Sequence, residues 1–195
     1  MLVASQIDSA NLFSSRSVGA DAEMSGLAAT LAAHLAMTQL PSNIFQKNTL
    51  FAYFEGEAFG YVGSTRFAQD ITNFTCESYG DEEKTWCAEP LYQNLDFEGL
   101  KFEQITHVIE LKQVGSKSAA GLYVHQHNHD LTTDLARIVT SPIMDKITLF
   151  PASNATPGIP PSSSMTFLKQ NPALIPNNVV ITDHGALYAN KYIAI

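Results

Sequence analysis

The sequence predicts a doubly wound α/β fold, and three observations support this fold class. Apolar runs of strand length alternate with segments whose apolar residues recur at helical spacing. The second strand-like run is nearly continuous in apolar residues, as expected of a strand that is covered on both faces. Polar and glycine-rich loops follow these runs, and ligand sites of doubly wound folds lie outside the carboxyl ends of their strands.

The first half of the chain begins with an apolar strand over residues 1–7, which is followed by a turn with the sequence SVGAD. Apolar residues then recur every three or four positions over Ala22–Leu40, which predicts a helix that Pro41 ends. The second strand is Thr49–Phe54. The stretch EGEAFGYVGS follows it over residues 55–64, and we expect a functional loop there.

The second half begins with a short helix over Ser64–Ile71 and an irregular acidic insertion over residues 72–100, which holds both cysteines. A loop rich in proline and serine covers residues 152–164. Asp130 is a suitable N-cap for a helix. The other predicted elements are strands at His107–Val114, Gly121–His125 and Asn178–Thr182 and helices at Asp130–Val139 and Met165–Gln170.

The size and charge of the chain limit the classes of protein it can belong to. Its 195 residues, of which 45% are hydrophobic, suffice for one domain with a substantial core, which we place over residues 1–195. The net charge of -8 argues against a nucleic-acid partner, because phosphate binding needs a basic face. No run of about 18 or more apolar residues predicts a membrane span. Both ends are abrupt and no signal peptide begins at Met1, so we expect a piece of a longer protein.

The two cysteines, Cys76 and Cys87, allow two interpretations. Either they form a disulfide that closes a loop outside the cytosol, or they are buried free thiols. The triplet NFT at Asn73 is a glycosylation acceptor just before the first cysteine, and NAT at Asn154 is a second acceptor. These acceptors favour the disulfide and a lumenal or extracellular setting.

The stretch HQHNHD is the most metal-like part of the sequence. On a strand, its histidines His125, His127 and His129 would share one face. Alternate strand residues lie about 6.8 Å apart, however, whereas a zinc ion lies about 2.0 Å from each ligand nitrogen. We therefore interpret them as polar histidines at the end of a strand. His34 and His107 are interpreted as packed or half-exposed histidines.

Five stretches at strand ends or helix starts resemble the co-catalytic zinc aminopeptidases, a superfamily that includes the glutaminyl cyclases and the transferrin-receptor fold. The stretches are SQIDS (5–9), GADAEMSG (19–26), FEGEAFGYVGS (54–64), HVIELKQVG (107–115) and TDHG (182–185). The likeness covers most of the chain and is most specific in the second and third stretches. It implies an aminopeptidase-like doubly wound mixed sheet with helices on both faces.

The resemblance also implies that the superfamily's metal ligands are lost here. Its first zinc histidine, bridging aspartate, ligand glutamate and last aspartate fall in turn on Gln6, Ala22, Ala58 and Lys112. An amide, two methyl groups and an ammonium do not make a zinc shell, because zinc needs lone-pair donors. The general base falls on Glu57, which keeps no metal-bound water to activate. We therefore expect no catalytic residue, no metal and no cofactor.

Four segments narrow the resemblance to the nicastrin family within that superfamily. They are GEAFGYVGS, IELKQVG, PPSSSMTFLK and TDHGALYANKY, and they match family segments in the same order. Gly60 departs from the family, which has an aspartate in this signature, and Lys112 is a second departure. The likeness implies a non-catalytic subunit of the γ-secretase complex, in which the presenilin subunit holds the catalytic aspartates.

The resemblance further implies partners, a location and a binding site. The expected partners are presenilin, the other membrane subunits and the stubs of type I membrane proteins, which the family screens by ectodomain size. The expected location is the lumenal or extracellular side of the endoplasmic reticulum, Golgi and plasma membrane, with an anchor outside this chain. The family's pocket residues fall on Glu57 and Tyr61, which would meet a substrate's free amino terminus. Alternatively, Glu57 only fixes its own loop and Tyr61 only packs.

Two other functions stay open on the sequence. An active hydrolase would need a different metal set that recruits His125, His127 or His184. Separately, the alignment of the fourth stretch could slip so that Glu110 takes the place of Lys112. A nicalin-like scaffold for membrane proteins shares the inactive peptidase fold. The segments PPSSSMTFLK and NKY favour the nicastrin family over that scaffold.

Overall fold

A six-stranded sheet organises the part of the chain that the structure describes. The computed structural model describes residues 1–9, 21–89, 91, 100–115, 121–127, 148–152 and 158–188. The strands are β1 (Leu2–Gln6), β2 (Leu50–Phe54), β3 (Ser78–Tyr79), β4 (Cys87–Glu89), β5 (Val108–Leu111), β6 (Leu122–His125), β7 (Leu149–Pro151) and β8 (Asn178–Thr182). The helices are α1 (Gly26–Thr38), α2 (Val62–Asn73) and α3 (Ser164–Gln170).

The sheet is mixed and its strand order is β2-β1-β5-β8-β6-β7. The first four of these strands run parallel to one another, whereas β6 pairs antiparallel with β8 and parallel with β7. The predicted α/β fold class is therefore confirmed. The carboxyl ends of β2, β1, β5 and β8 meet along one side of the sheet, which we call the carboxyl edge.

Helix α1 covers one face of the sheet at close range. The ring of His34 stacks on Phe51 with 4.4 Å between centroids, and its Nδ1 lies 3.2 Å from the Tyr53 hydroxyl. A Cβ atom on Gly26 would lie 2.3 Å from the carbonyl oxygen of Leu111, so only glycine permits this approach of helix and strand. The interpretation of His34 as a packed, half-exposed histidine is confirmed.

Helices α2 and α3 cover the opposite face, where the main apolar core lies. Phe167 of α3 is completely buried. Its ring centroid lies 6.0 Å from that of Phe54, 6.3 Å from that of Phe67 and 6.1 Å from that of Phe102. Leu2, Ala4 and Val108 are among the buried strand residues of the same cluster. The core therefore joins strands β1, β2 and β5 to helices α2 and α3.

Most predicted elements are present, and their boundaries show where the sequence patterns fall short. The first helix is preceded by a π-helical turn over Asp21–Ser25, and α2 extends two residues beyond each end of the predicted Ser64–Ile71. Strand β7 was not predicted, because three residues are too few to show a periodicity. The predicted helix Asp130–Val139 lies outside the described residues. None of the described helices is long and apolar enough to cross a membrane.

The acidic insertion contains an element that its sequence did not predict. Strands β3 and β4 form an antiparallel pair, so the prediction of a wholly irregular segment over residues 72–100 is wrong at these positions. Cys76 and Cys87 form a disulfide with 5.7 Å between their Cα atoms, and this bond ties β4 to the end of α2. Asn73, the last residue of α2, is exposed, as a glycosylation acceptor must be. Asn154 lies outside the described residues.

The aromatic cluster provides a test of the core. Replacing Phe167 with alanine should lower the free energy of unfolding by about 3–5 kcal/mol, because the change removes buried surface and leaves a cavity. The matched control is Phe59→Ala, since Phe59 is 69% exposed and its loss should change stability by less than about 0.5 kcal/mol. Urea unfolding followed by circular dichroism measures both values. Equal effects of the two substitutions would contradict the assignment of this core.

Candidate functional site

The candidate site lies at the carboxyl edge, where a sharp turn connects β2 to α2. Gly56 and Gly60 have φ angles of 79° and 98°, in the left-handed region that glycine adopts without strain. Tyr61 has a φ of 61°, which is unusual for a residue with a side chain. A short 3₁₀-helix, Glu57–Phe59, fills the space between the two glycines. Side-chain hydrogen bonds are therefore needed to hold the conformation of the turn.

Asp8 supplies the first of these contacts from the end of β1. Its Oδ1 accepts a hydrogen bond from the backbone N–H of Glu57 at 3.0 Å. Its Oδ2 accepts one from the N–H of Ala58, also at 3.0 Å. The carboxylate thus binds the amino-terminal end of the 3₁₀-helix, where unpaired N–H groups and the helix dipole favour a negative charge.

Glu57 supplies the second contact, from within the turn to helix α2. The residue is only 2% exposed. Its Oε1 accepts a hydrogen bond from the N–H of Ser64 at 2.8 Å, and its Oε2 accepts one from the Ser64 hydroxyl at 2.7 Å. Tyr61, at the N-cap position of α2, makes no side-chain cap, so Glu57 binds an N–H group that a capping residue would otherwise satisfy.

Glu110 of β5 has the same relation to helix α3. It is completely buried, its Oε1 accepts the N–H of Ser163 at 3.2 Å and its Oε2 accepts the N–H of Ser164 at 2.8 Å. The N-cap residue Ser163 makes no side-chain cap of its own. Burial raises the pKa of the Glu110 carboxyl, against the lowering effect of the Lys112 charge and of the serine hydrogen bonds.

Tyr61 lies among these charges and is half-buried. Burial raises the pKa of its hydroxyl first of all, and the negative charges of Glu110 and then of Glu57 raise it further. Tyr188 contributes in the same direction. The phenol therefore stays protonated near neutral pH and lies in a negative field at the mouth of the turn.

A small cavity lies beside this group, between the end of β8 and the proline-rich loop. Its volume is about 210 Å³. The lining residues are His125, Gly158, Ile159, Pro160, Pro161, His184, Gly185, Ala186 and Tyr188. The rings of His184 and Tyr188 have centroids 4.2 Å apart, and His125 lies 5.5 Å from His184. Histidine and tyrosine rings thus line one part of the cavity, and Pro160 and Pro161 line another.

His125 is fixed within the wall of this cavity. It is 3% exposed, and its Nε2 lies 3.0 Å from the Thr182 hydroxyl and 2.9 Å from the carbonyl oxygen of His184. Burial lowers the pKa of the imidazole; the hydrogen bond to the carbonyl opposes this effect, and the nearby His184 adds to it. The carboxylate of Asp183 lies 3.5 Å from Nδ1 of His184. His127 is exposed and His129 lies outside the described residues.

The positions that the resemblance assigns to metal ligands do not offer a zinc shell. Gln6 donates its amide N–H to the carbonyl oxygen of Asp8 at 2.7 Å. Ala58 offers only a methyl group, and Lys112 donates its ammonium to the carbonyl oxygen of Pro161 at 3.0 Å. Ala22 lies in the π-helical turn. Among the described residues, no three histidine, cysteine or acidic side chains are grouped to hold a metal ion.

Sequence analysis missed part of this arrangement. The sequence pattern places Glu57 at the carboxyl edge but gives no sign that Ser64 donates hydrogen bonds to both carboxylate oxygens of Glu57. Sequence analysis considered Glu110 only as a possible metal ligand, and the structure instead shows it bound to Ser163 and Ser164. The available signal was an acid inside an apolar strand, since such a group must find donors when buried.

The fold and the site geometry define a class of protein. An aminopeptidase from Aneurinibacillus sp. strain AM-1 has a similar fold, with a TM-score of 0.57 at 18% identity over 96% of this chain and 35% of that one. The chain thus has an aminopeptidase-like α/β fold.

Closer relatives identify the family. The family model for the nicastrin large lobe matches residues 1–194, so the chain belongs to the nicastrin family. Nicastrin from Dictyostelium purpureum is 32% identical over 98% of this chain and 31% of that protein. The crystal structure of the γ-secretase component nicastrin gives a TM-score of 0.83 at 32% identity, covering 97% of this chain and 34% of the other. The chain therefore spans about a third of the length of these relatives.

The buried histidine gives a prediction about pH. Because its folded-state pKa is lowered, the stability that neutral His125 contributes is present above its ordinary pKa of about 6.5 and is lost as pH falls toward the folded pKa. His125→Gln should therefore lose less stability than the wild type between about pH 7.5 and about pH 5. Urea unfolding at the two pH values measures the difference.

The control for this prediction is His127→Gln, which changes an exposed histidine two residues away. It should keep the wild-type dependence of stability on pH. An unchanged dependence in the His125 variant would show that burial of this imidazole does not disfavour its protonation.

Proposed function

We propose that this chain is the non-catalytic ectodomain module of a γ-secretase-type intramembrane protease complex. In this role it assists assembly and recognises or sterically screens the stubs of type I membrane proteins. Its family membership and its likeness to a structure named as a γ-secretase component support the proposal. The catalytic step belongs to presenilin, and the chain lies on the lumenal or extracellular side of the membrane, anchored by a segment outside it.

The chemistry of the carboxyl edge supports a non-catalytic role. A co-catalytic zinc site needs several deprotonated or neutral donors, and the positions of Gln6, Ala22, Ala58 and Lys112 hold an amide, two methyl groups and an ammonium. A cation at position 112 also repels a dication. Asp8, which follows β1, accepts the backbone N–H groups of Glu57 and Ala58 and so positions the turn. We infer that the fold has lost hydrolytic zinc chemistry and kept its cleft.

The single observation that carries substrate recognition is that Glu57 and Tyr61 leave the same tight turn, in which the backbone N–H of Tyr61 donates to the carbonyl oxygen of Glu57 at 3.0 Å. Glu57 and Glu110 both raise the pKa of the Tyr61 hydroxyl, so the mouth of the turn is a region of negative potential. A substrate's α-ammonium would be attracted to this potential, would bind the carboxylate of Glu57 by a charge-assisted hydrogen bond and would contact the aromatic face of Tyr61. Because Ser64 also holds Glu57, the same side chain would position the turn and bind the amine.

The test compares two substrate stubs in the assembled complex, one with a free amino terminus and one with an acetylated amino terminus. The wild-type complex should bind the free stub more tightly. Glu57→Gln and Tyr61→Phe should each reduce that preference, by about tenfold for Glu57→Gln, since a hydrogen bond to a charged group is lost. The matched control is Glu55→Gln, an exposed acid of the same loop, which should keep the preference.

The measurement is the ratio of the two dissociation constants, together with the rates at which the two stubs are processed. A Glu57→Gln complex that keeps the full preference for the free stub would rule out amine recognition by this residue. Screening by the bulk of the substrate ectodomain would then be the remaining mode of selection.

A further inference from the structure

We propose that Glu110 of β5 and Lys112, the residue that directly follows β5, form a clamp that positions residues 158–164, and that this clamp sets the geometry of the substrate's amino-terminal site. We call residues 158–164 the proline–serine turn. The second part of the inference rests on the proposed function, whereas the first part stands on the contacts of the chain alone. Neither residue touches the substrate in this account, so both are positioning residues.

The clamp begins with the register of the sheet. Glu110 lies on β5, and Lys112 directly follows the strand, where its backbone N–H still donates to the carbonyl oxygen of Ile181 at 3.0 Å, so the two side chains lie on the same face. That face is the one on which α3 packs, since Val108, two residues before Glu110, belongs to the core cluster that includes Phe167 of α3. An acid of β5 and a base just after the strand therefore both meet the segment that leads into α3.

The two side chains hold the proline–serine turn at three residues, Pro161, Ser163 and Ser164. The ammonium of Lys112 donates to the carbonyl oxygen of Pro161 at 3.0 Å. The carboxylate of Glu110 accepts the N–H groups of Ser163 and Ser164 at 3.2 and 2.8 Å. Because an ammonium binds a carbonyl and a carboxylate binds amides, the strand recognises both polarities of the turn's backbone.

The contacts of Glu110 compensate the burial of its carboxylate in part, since its pKa stays raised despite them. Glu110 is completely buried, and an isolated carboxylate would be costly there. It receives two amide donors at the first turn of α3 and the positive charge of Lys112, which lowers its pKa against the effect of burial. Loss of the charge would leave two buried N–H groups with a weaker acceptor, so the turn would loosen.

The proline–serine turn connects the clamp to the cleft. Gly158 to Pro161 form one wall of the cavity whose other wall is His125, His184 and Tyr188. Gly158 has a φ of 102°, so a left-handed residue begins the turn and the clamp fixes its far end. On the other side, the charge of Glu110 reaches the hydroxyl of Tyr61. Release of the clamp would therefore move the wall of the cavity that Pro161 forms, opposite Tyr188, and Tyr188 is itself among the groups that act on Tyr61.

Lys112 stands at a position where the superfamily resemblance implies a different residue. The superfamily resemblance assigns a metal-ligating carboxylate to this position, and here a cation occupies it and binds the turn. A cation carried by the chain itself thus links β5 to the wall of the cleft. No external ion is needed for that link.

The first arm of the test measures the turn itself by hydrogen exchange in the assembled complex. Glu110→Gln and Lys112→Met should speed amide exchange over residues 158–164, by about tenfold at Ser163 and Ser164 in Glu110→Gln, because the charged acceptor is lost. Exposed residues of the segment before β5 provide matched controls. Glu103→Gln and Lys101→Met should leave amide exchange over residues 158–164 unchanged. Lys112→Arg, which keeps a cation of similar reach, should restore protection in the turn.

The second arm measures the preference of the same complexes for a free over an acetylated stub. Glu110→Gln should reduce that preference by about tenfold, whereas Glu103→Gln should not. Faster exchange in the turn with an unchanged preference would overturn the link to substrate binding. Unchanged exchange would overturn the clamp.

The two proposals fail in distinguishable ways. If the wild-type complex shows no preference between the stubs, amine recognition by Glu57 and Tyr61 is wrong, and the link from the clamp to substrate binding is wrong with it. The exchange measurement still decides whether Glu110 and Lys112 hold the turn.

A pH titration of Tyr61 absorbance measures the effect of the Glu110 charge on Tyr61. The Tyr61 signal is isolated by difference from Tyr61→Phe. Glu110→Gln should lower the pKa of Tyr61, because it removes a negative charge that raises this pKa.

Discussion

Hydrogen bonds from backbone amides to three carboxylates hold the carboxyl edge together. Asp8 binds the 3₁₀-helix after β2, Glu57 binds the first turn of α2, and Glu110 binds the first turn of α3. Each acid satisfies N–H groups that a helix leaves unpaired at its start. Each also lies at the positive end of a helix dipole. The positions of the cleft residues therefore depend on acids that are already engaged.

This constraint explains how the loops of an aminopeptidase-like fold are positioned here. Asp8, Glu57 and Glu110 each accept two hydrogen bonds from loops or helix starts at this edge. Lys112 adds a contact of the opposite polarity, because its ammonium donates to the carbonyl oxygen of Pro161. Loop positioning is thus carried by groups within the chain.

The same constraint reconciles the two interpretations of Glu57. Its carboxylate fixes the turn through Ser64, and Tyr61 projects from that turn into the field of Glu57 and Glu110. A carboxylate has about four lone-pair sites, so two bonds to Ser64 leave capacity for an ammonium. Structural support and amine binding by one residue are compatible, and each would strengthen the other by restricting the motion of the side chain.

Periodicity and loop composition predicted the sheet, the long helices and the edge at which the site lies. The strand Thr49–Phe54 was predictable because five of its six residues are apolar, and Pro41 marked the end of the helical segment. The β3–β4 pair was not predictable, since strands of two and three residues carry no period. The partner of Glu110 was equally hidden, because Ser163 and Ser164 lie more than fifty residues away along the chain. Contacts of that separation follow from the fold and not from a local pattern.

The most direct test of the account is the metal stoichiometry of the purified protein after equilibration with excess zinc and removal of unbound ions. The account predicts no stoichiometric zinc at the carboxyl edge, with the same small amount retained by the wild type and by Glu57→Gln. Two zinc ions per chain, together with aminopeptidase turnover that Glu57→Gln abolishes, would contradict it. That result would mean that the carboxylates exchange their amide partners for metal, and that the cleft cuts peptides as well as holding them.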